Sequence, residues 1–111
     1  MARTALTVTQ VTRAGVALPA AAANADGHSV ANDGSVILHI VNGGGAPITV
    51  TIVTPGTVDG LAIADREVIV AASANRLIGP FPREHYNQAD GTVHVNFSGV
   101  ASVTAAALKV F

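Results

Sequence analysis

The chain has 111 residues; half are apolar, 12% are charged and the formal net charge is −1. An ordinary soluble domain is roughly 25% charged, so this surface is either covered by other subunits or hydrated by Thr, Ser, Asn and backbone. Near-neutrality with scattered Arg excludes the basic footprint of a nucleic-acid binder, and the absence of Cys excludes disulfides and thiolate metal sites. No apolar run approaches the ~20 residues of a bilayer-spanning helix. The start, Met1-Ala2-Arg3-Thr4, lacks an apolar stretch followed by a cleavage site, which predicts synthesis in the host cytoplasm without export. Length suits one domain. Its apolar half is dominated by 21 Ala and 16 Val, with no Trp, one Tyr (Tyr86) and three Phe (Phe81, Phe97 and Phe111). At roughly 25 cal/mol per Å² small side chains each contribute little, so burial between subunits would supplement a modest core.

In chain order, residues 6–11 read as an edge strand, followed by Leu18-Pro19 and four alanines too few to hold an isolated helix. Residues 1–25 are therefore expected to be an N-terminal arm or edge strand, and 26–111 a β-sandwich domain. Residues 35–41 place Val36, Leu38 and Ile40 on one face and Ile37, His39 and Val41 on the other, so this strand is central or lies under an interface. Gly43-Gly44-Gly45 reads as a hairpin turn. Residues 47–53 alternate with Ile48, Val50 and Ile52 inward. Residues 67–71 set Val68 and Val70 against Ile69, and residues 92–97 send Val93, Val95 and Phe97 inward. Residues 100–110 are read as a strand, returning in a hairpin through Ser98-Gly99. The pairs Asp26-Gly27, Asp33-Gly34, Asp59-Gly60 and Asp90-Gly91, with Asn42-Gly43 and Pro55-Gly56, are turn signals. Short strands between such turns define an all-β fold, a small antiparallel β-sandwich or barrel of jelly-roll type with an extended N-terminal segment.

No catalytic, cofactor or metal signature is present. His39 and His94 are candidates for neighbouring strands, but no H-x-H or HExxH spacing supports zinc; at a subunit contact they would make assembly pH-sensitive near about pH 6 to 7. Asn24-Ala25-Asp26-Gly27 and Asn32-Asp33-Gly34 lack the further oxygens and terminal Glu of a calcium loop. Gly43-Gly44-Gly45 lacks the Lys of a phosphate loop, and Ser98-Gly99 lacks a nucleophile elbow. Asp65 and Glu67 have the i, i+2 spacing of one strand face, yet Arg66 between them makes them solvated charges rather than a general acid and base. Arg76-Leu77-Ile78-Gly79-Pro80-Phe81-Pro82 is a rigid stretch leading to the charged, aromatic run Arg83-Glu84-His85-Tyr86. It is a crossover between sheets or a contact surface with Phe81 or Tyr86 as anchor.

Asn24-Ala-Asp-Gly-His28, Gly43-Gly-Gly-Ala-Pro-Ile-Thr-Val50, Thr54-Pro-Gly-Thr-Val-Asp-Gly-Leu61, Arg76-Leu-Ile-Gly-Pro-Phe-Pro82 and Tyr86-Asn-Gln-Ala-Asp-Gly-Thr-Val93 together resemble small structural proteins of tailed bacteriophages, among them capsid decoration (cement) proteins. The stretches are turns and strands, so no site residue transfers. The resemblance implies a compact β-sandwich or barrel, often trimeric, on the outside of the shell, with the N-terminal segment touching it.

The expected function is thus a non-enzymatic virion protein on the capsid surface, a homo-oligomer (trimer favoured) bound to the major capsid protein, without nucleic acid, membrane or cofactor. Arg3, Leu6, Val8 and Val11 are the candidate shell contact; Ile37, His39, Val41 and Ile69 the candidate subunit contact. Residues 35–58 carry no charge and are expected near that contact. Alternatives are a tail, head–tail connector or fibre component, or a carbohydrate- or host-binding module; the last is weakened by having no Trp and one Tyr.

Overall fold

The structure, a computed structural model, describes residues 3–109; the predicted strand's last residue, Val110, and Phe111 lie outside them. Among the described residues the chain forms β1 (Thr4–Leu6), β2 (Val8–Gln10), β3 (Ala21–Ala22), β4 (His28–Ala31), β5 (Val36–Asn42), β6 (Ile48–Ile52), β7 (Thr57–Val58), β8 (Leu61–Ala62), β9 (Arg66–Val70), β10 (Ala74–Ile78), a single helical turn α1 (Arg83–Tyr86), β11 (Thr92–Phe97) and β12 (Val103–Lys109). One sheet has the order β1-β4-β11-β6-β9; the other runs β10-β5-β12-β2, with β3 also beside β12. The protein is an all-β sandwich. None of the described helices is long and apolar enough to cross a membrane.

Period-two alternation builds the core. Val36, Leu38 and Ile40 of β5, Val50 and Ile52 of β6, Val93 and Val95 of β11, and Val103, Ala105 and Ala107 of β12 are buried between the sheets. Two polar residues share that interior. Asn42 donates from Nδ2 to the carbonyls of Ala46 (2.8 Å), Val70 (3.2 Å) and Ala71 (3.3 Å), while its Oδ1 accepts from the Gly44 amide. His28 accepts at Nε2 from the Asn24 amide (3.2 Å), so Nδ1 carries the hydrogen that reaches the Thr4 carbonyl (3.0 Å). Its ring meets Phe97 edge-on at 5.7 Å. Gly27, at φ +89°, lets the chain pass this point, because a Cβ would meet the Asn96 side chain and the Val95 carbonyl at 2.6 Å.

Several connections differ from expectation. β5 and β6 belong to different sheets, so Gly43-Gly44-Gly45 is a crossover rather than a hairpin turn. The run 100–110 is a strand as expected, but β12 pairs with β5, β2 and β3 and not with β11. The hairpin through Ser98-Gly99 is thereby corrected. Among the Asp-Gly pairs only Asp59-Gly60 closes a two-residue hairpin, between β7 and β8, with both residues at positive φ (54° and 77°). The sandwich is also not wholly antiparallel: β1 pairs with β4 and β2 with β12 in parallel. Residues 4–10 switch sheets at Thr7, closing one side of the sandwich. Alternation reads each strand's faces but not its partner, so these pairings were invisible in one dimension.

Candidate functional site

The N-terminal segment is built into the fold rather than free of it. Arg3 donates from Nη1 to the carbonyls of Val95 (3.3 Å) and His28 (3.5 Å), and the Asn24 amide nitrogen of the side chain bonds Thr4 Oγ1 at 2.5 Å. Leu6 is 7% exposed in the core, and Val8 packs against it. These positions correct the expectation of an arm: of the four residues assigned to a shell contact, Val11 alone is exposed, at 40%. Beyond it, residues 11–20 form an exposed loop carrying Val16 and Leu18.

The two outer faces of the sandwich have different chemistry. Register on the β10-β5-β12-β2 sheet sets Leu77, His39 and Ala106 in one outward row. Asn75, Val41, Thr104 and Ala22 form a second, and Ile37, Leu108 and Thr9 a third. No Asp, Glu, Lys or Arg lies in these rows. Leu77 is 67% exposed, while Ile37, His39 and Val41 are half-buried. On the other sheet the outward rows are Asn96, Thr51 and Glu67; Ser29 and His94; and Thr49 and Ile69.

Of the expected subunit contact, then, Ile37, His39 and Val41 share one surface, which Leu77, Ala106 and Leu108 extend. Ile69 stands on the opposite face, as does His94, so neither joins the group. The uncharged run 35–58 is likewise divided between the sheets and the β7–β8 hairpin rather than forming one patch. Leu77 was missed because Arg76 and the prolines drew its neighbourhood into a loop, although Asn75, Leu77 and their inward neighbours alternate. Leu108 and Ala106 were legible in the same way: β12, like β5, is apolar on both faces.

The aromatic pair has separate fates. Phe81 is 2% exposed, follows a cis Gly79-Pro80 bond and is part of the core, which corrects its assignment as a partner anchor. Tyr86 is half-buried, its ring 5.3 Å from Phe81 and its hydroxyl accepting from Arg66 Nε at 3.2 Å. A shallow cleft of about 490 Å³ beside it is lined by Val58, Ile63, Arg66, Glu67 and His85. Asp65 borders this cleft, yet its Oδ1 accepts from the Thr54 amide (2.9 Å) and hydroxyl (3.2 Å), clasping the base of the β7–β8 hairpin. It precedes β9 and acts as a structural acceptor, a role that no feature of the sequence signalled.

The remaining acids and histidine are set by local contacts. The Ser35 hydroxyl and amide donate to Asp33, with Lys109 nearby, and lower its pKa to about 2. Asp90 is lowered in the same way by Thr92. Burial, reinforced by Arg3 and opposed by Asp90, pushes His94 down. Both Asp33 and Asn32 close tight turns, Asn32 Oδ1 accepting from the Gly34 amide at 3.0 Å. A scan against protein-family models finds no match, and searches of curated proteins and of solved structures find none either.

Proposed function

We propose that the chain is a non-enzymatic structural subunit of a tailed-bacteriophage virion, a decoration protein that binds the outside of the capsid shell as a symmetric oligomer, a trimer by preference. The observation that carries the assembling role is the outer face of β10, β5 and β12, apolar and without formal charge over three strands. Exposed apolar surface gathered on one face of a sheet favours association with another such surface. The virion setting comes from the resemblance of the turn-and-strand motifs. In this reading the major capsid protein is the partner, and the action is mechanical: spanning capsomer junctions buries more apolar area per subunit.

The shell contact is assigned to the loop 11–20 instead of the strand residues before it, because Val16 and Leu18 are exposed at 47% and 37% while Leu6 is in the core. Reconstruction of the virion tests the proposal. Density for the sandwich is expected on the capsid exterior around three-fold positions, with the loop toward the shell. A six- or twelve-fold ring at the tail or portal would replace decoration by the connector reading. Val16→Asp combined with Leu18→Asp is expected to remove capsid binding while preserving the far-ultraviolet circular dichroism of the subunit.

A further inference from the structure

We infer that copies of the chain meet through the outer face of β10, β5 and β12, and that His39 makes this contact sensitive to pH. The inference rests on the assembling subunit proposed above. Its first support is charge. A charged partner would bury its own ions against a face that offers no counter-ion, which is strongly unfavourable. An uncharged apolar partner is required, and a second copy supplies one in the same face. β5 is central among the three strands, so a ring that turns this face toward its axis brings the His39 imidazoles of the copies together.

His39 stands in the middle of the apolar rows. Leu77 and Ala106 flank it across the sheet, and Ile37 and Val41 lie on either side along the strand. Its side chain has no hydrogen-bond partner among the described residues. From β10 it is faced by Asn75 and Leu77, and from β12 by Thr104, Ala106 and Leu108; none of these titrates. The charges on those strands, Arg76 and Lys109, pair in register with Ile40 and Val36, whose side chains point inward, and so project away from this face. Arg13 lies in the exposed loop after β2.

No carboxylate is therefore placed to balance an imidazolium at the contact. A neutral imidazole has one donor and one acceptor, and rings from different copies can satisfy each other; protonated rings are donors only and repel. Acid is expected to weaken the assembly by about tenfold per pH unit for each imidazole that must lose a proton on burial.

Sedimentation of the full chain at pH 8 and pH 5.5 tests this, with circular dichroism at both values to confirm folding. The wild type is expected to be oligomeric at pH 8 and to shift toward monomer at pH 5.5, while His39→Leu and His39→Gln remain oligomeric at both. Leu77→Lys is expected to be a folded monomer at pH 8. A wild-type oligomer unchanged by acid would overturn the pH dependence and leave the assembling subunit standing. Equal dissociation of the wild type and both His39 variants would place the sensitive group elsewhere and overturn it too. An oligomer that survives Leu77→Lys would refute this face as the contact. A wild type monomeric at pH 8 would overturn the self-assembling reading itself.

Discussion

The outer faces of the two sheets are made by the same alternation and come out chemically opposite. Beside Thr49, Thr51, Thr92 and Asn96 the first sheet presents hydroxyls and amides, groups that hydrate a surface without charging it. Beside Ile37, Val41, Leu77 and Leu108 the second presents hydrocarbon. The charge shortage of the chain thus has two solutions in one molecule. One face substitutes neutral polar groups for ions, and the other is left for cover. A strand with a polar outer face can end against water; a strand apolar on both faces, such as β5, is ordinarily buried on both.

The largest perturbation removes what both sheets share. Truncation of residues 1–12 strips β1 from one sheet, β2 from the other and Leu6 from the core, so a loss of cooperative thermal unfolding is expected. A truncated chain that still melted cooperatively would show that the N-terminal strand is an accessory after all. Next, Leu38→Ala on the inner face of β5 should cost about 2–5 kcal/mol in urea denaturation, as for a fully buried leucine. Ile37→Ala, one residue away but outward, should cost the monomer far less and weaken association. Equal effects on monomer stability would erase the distinction between the two sides of the strand.

Asn42→Ala follows. It leaves the Ala46, Val70 and Ala71 carbonyls without their shared donor, an expected loss of about 1–3 kcal/mol by the same measurement. Exchanging the faces is a gentler and more pointed experiment. Ile37→Thr with Val41→Thr and Leu77→Thr gives the second sheet the surface of the first, and a soluble monomer with a near-unchanged melting temperature is expected by light scattering and calorimetry. Persistent oligomers would move the contact off this face.

The smallest effect is electrostatic. His94 has its pKa lowered in the folded chain, chiefly by burial, so the unfolded chain binds the proton more readily. Stability is then greatest above the ordinary histidine value of about 6.5 and declines as pH falls below it, toward the folded value. His94→Gln should flatten the melting temperature between about pH 7 and 5; an unchanged slope would assign the dependence to another group.

Much of the architecture was legible in the residues. Strict alternation at Ile48, Val50 and Ile52, and again at Val93 and Val95, left little freedom about which side faced the core. β4 and β10 were missed for a local reason. His28 and Asn32 look like loop residues until the hydrogen bonds that absorb them are known, and Arg76 interrupts an otherwise apolar run. The candidate surface was half legible. Ile37, His39 and Val41 were grouped by period, whereas Leu77, 36 positions after Val41 in the chain, joined them through strand pairing.

The sequence by itself determined the all-β class, the inward sets of the main strands and the oddity of β5, because side-chain period and turn chemistry are local properties. Tertiary structure decided the rest. It put consecutive strands into opposite sheets, drew Leu6 and Phe81 into the core, and separated Ile69 from Ile37. Such outcomes depend on which strand pairs with which, and that is settled by the joint packing of residues distant in the chain. The scarcity of charge could be counted from composition; only pairing could concentrate it on one apolar face.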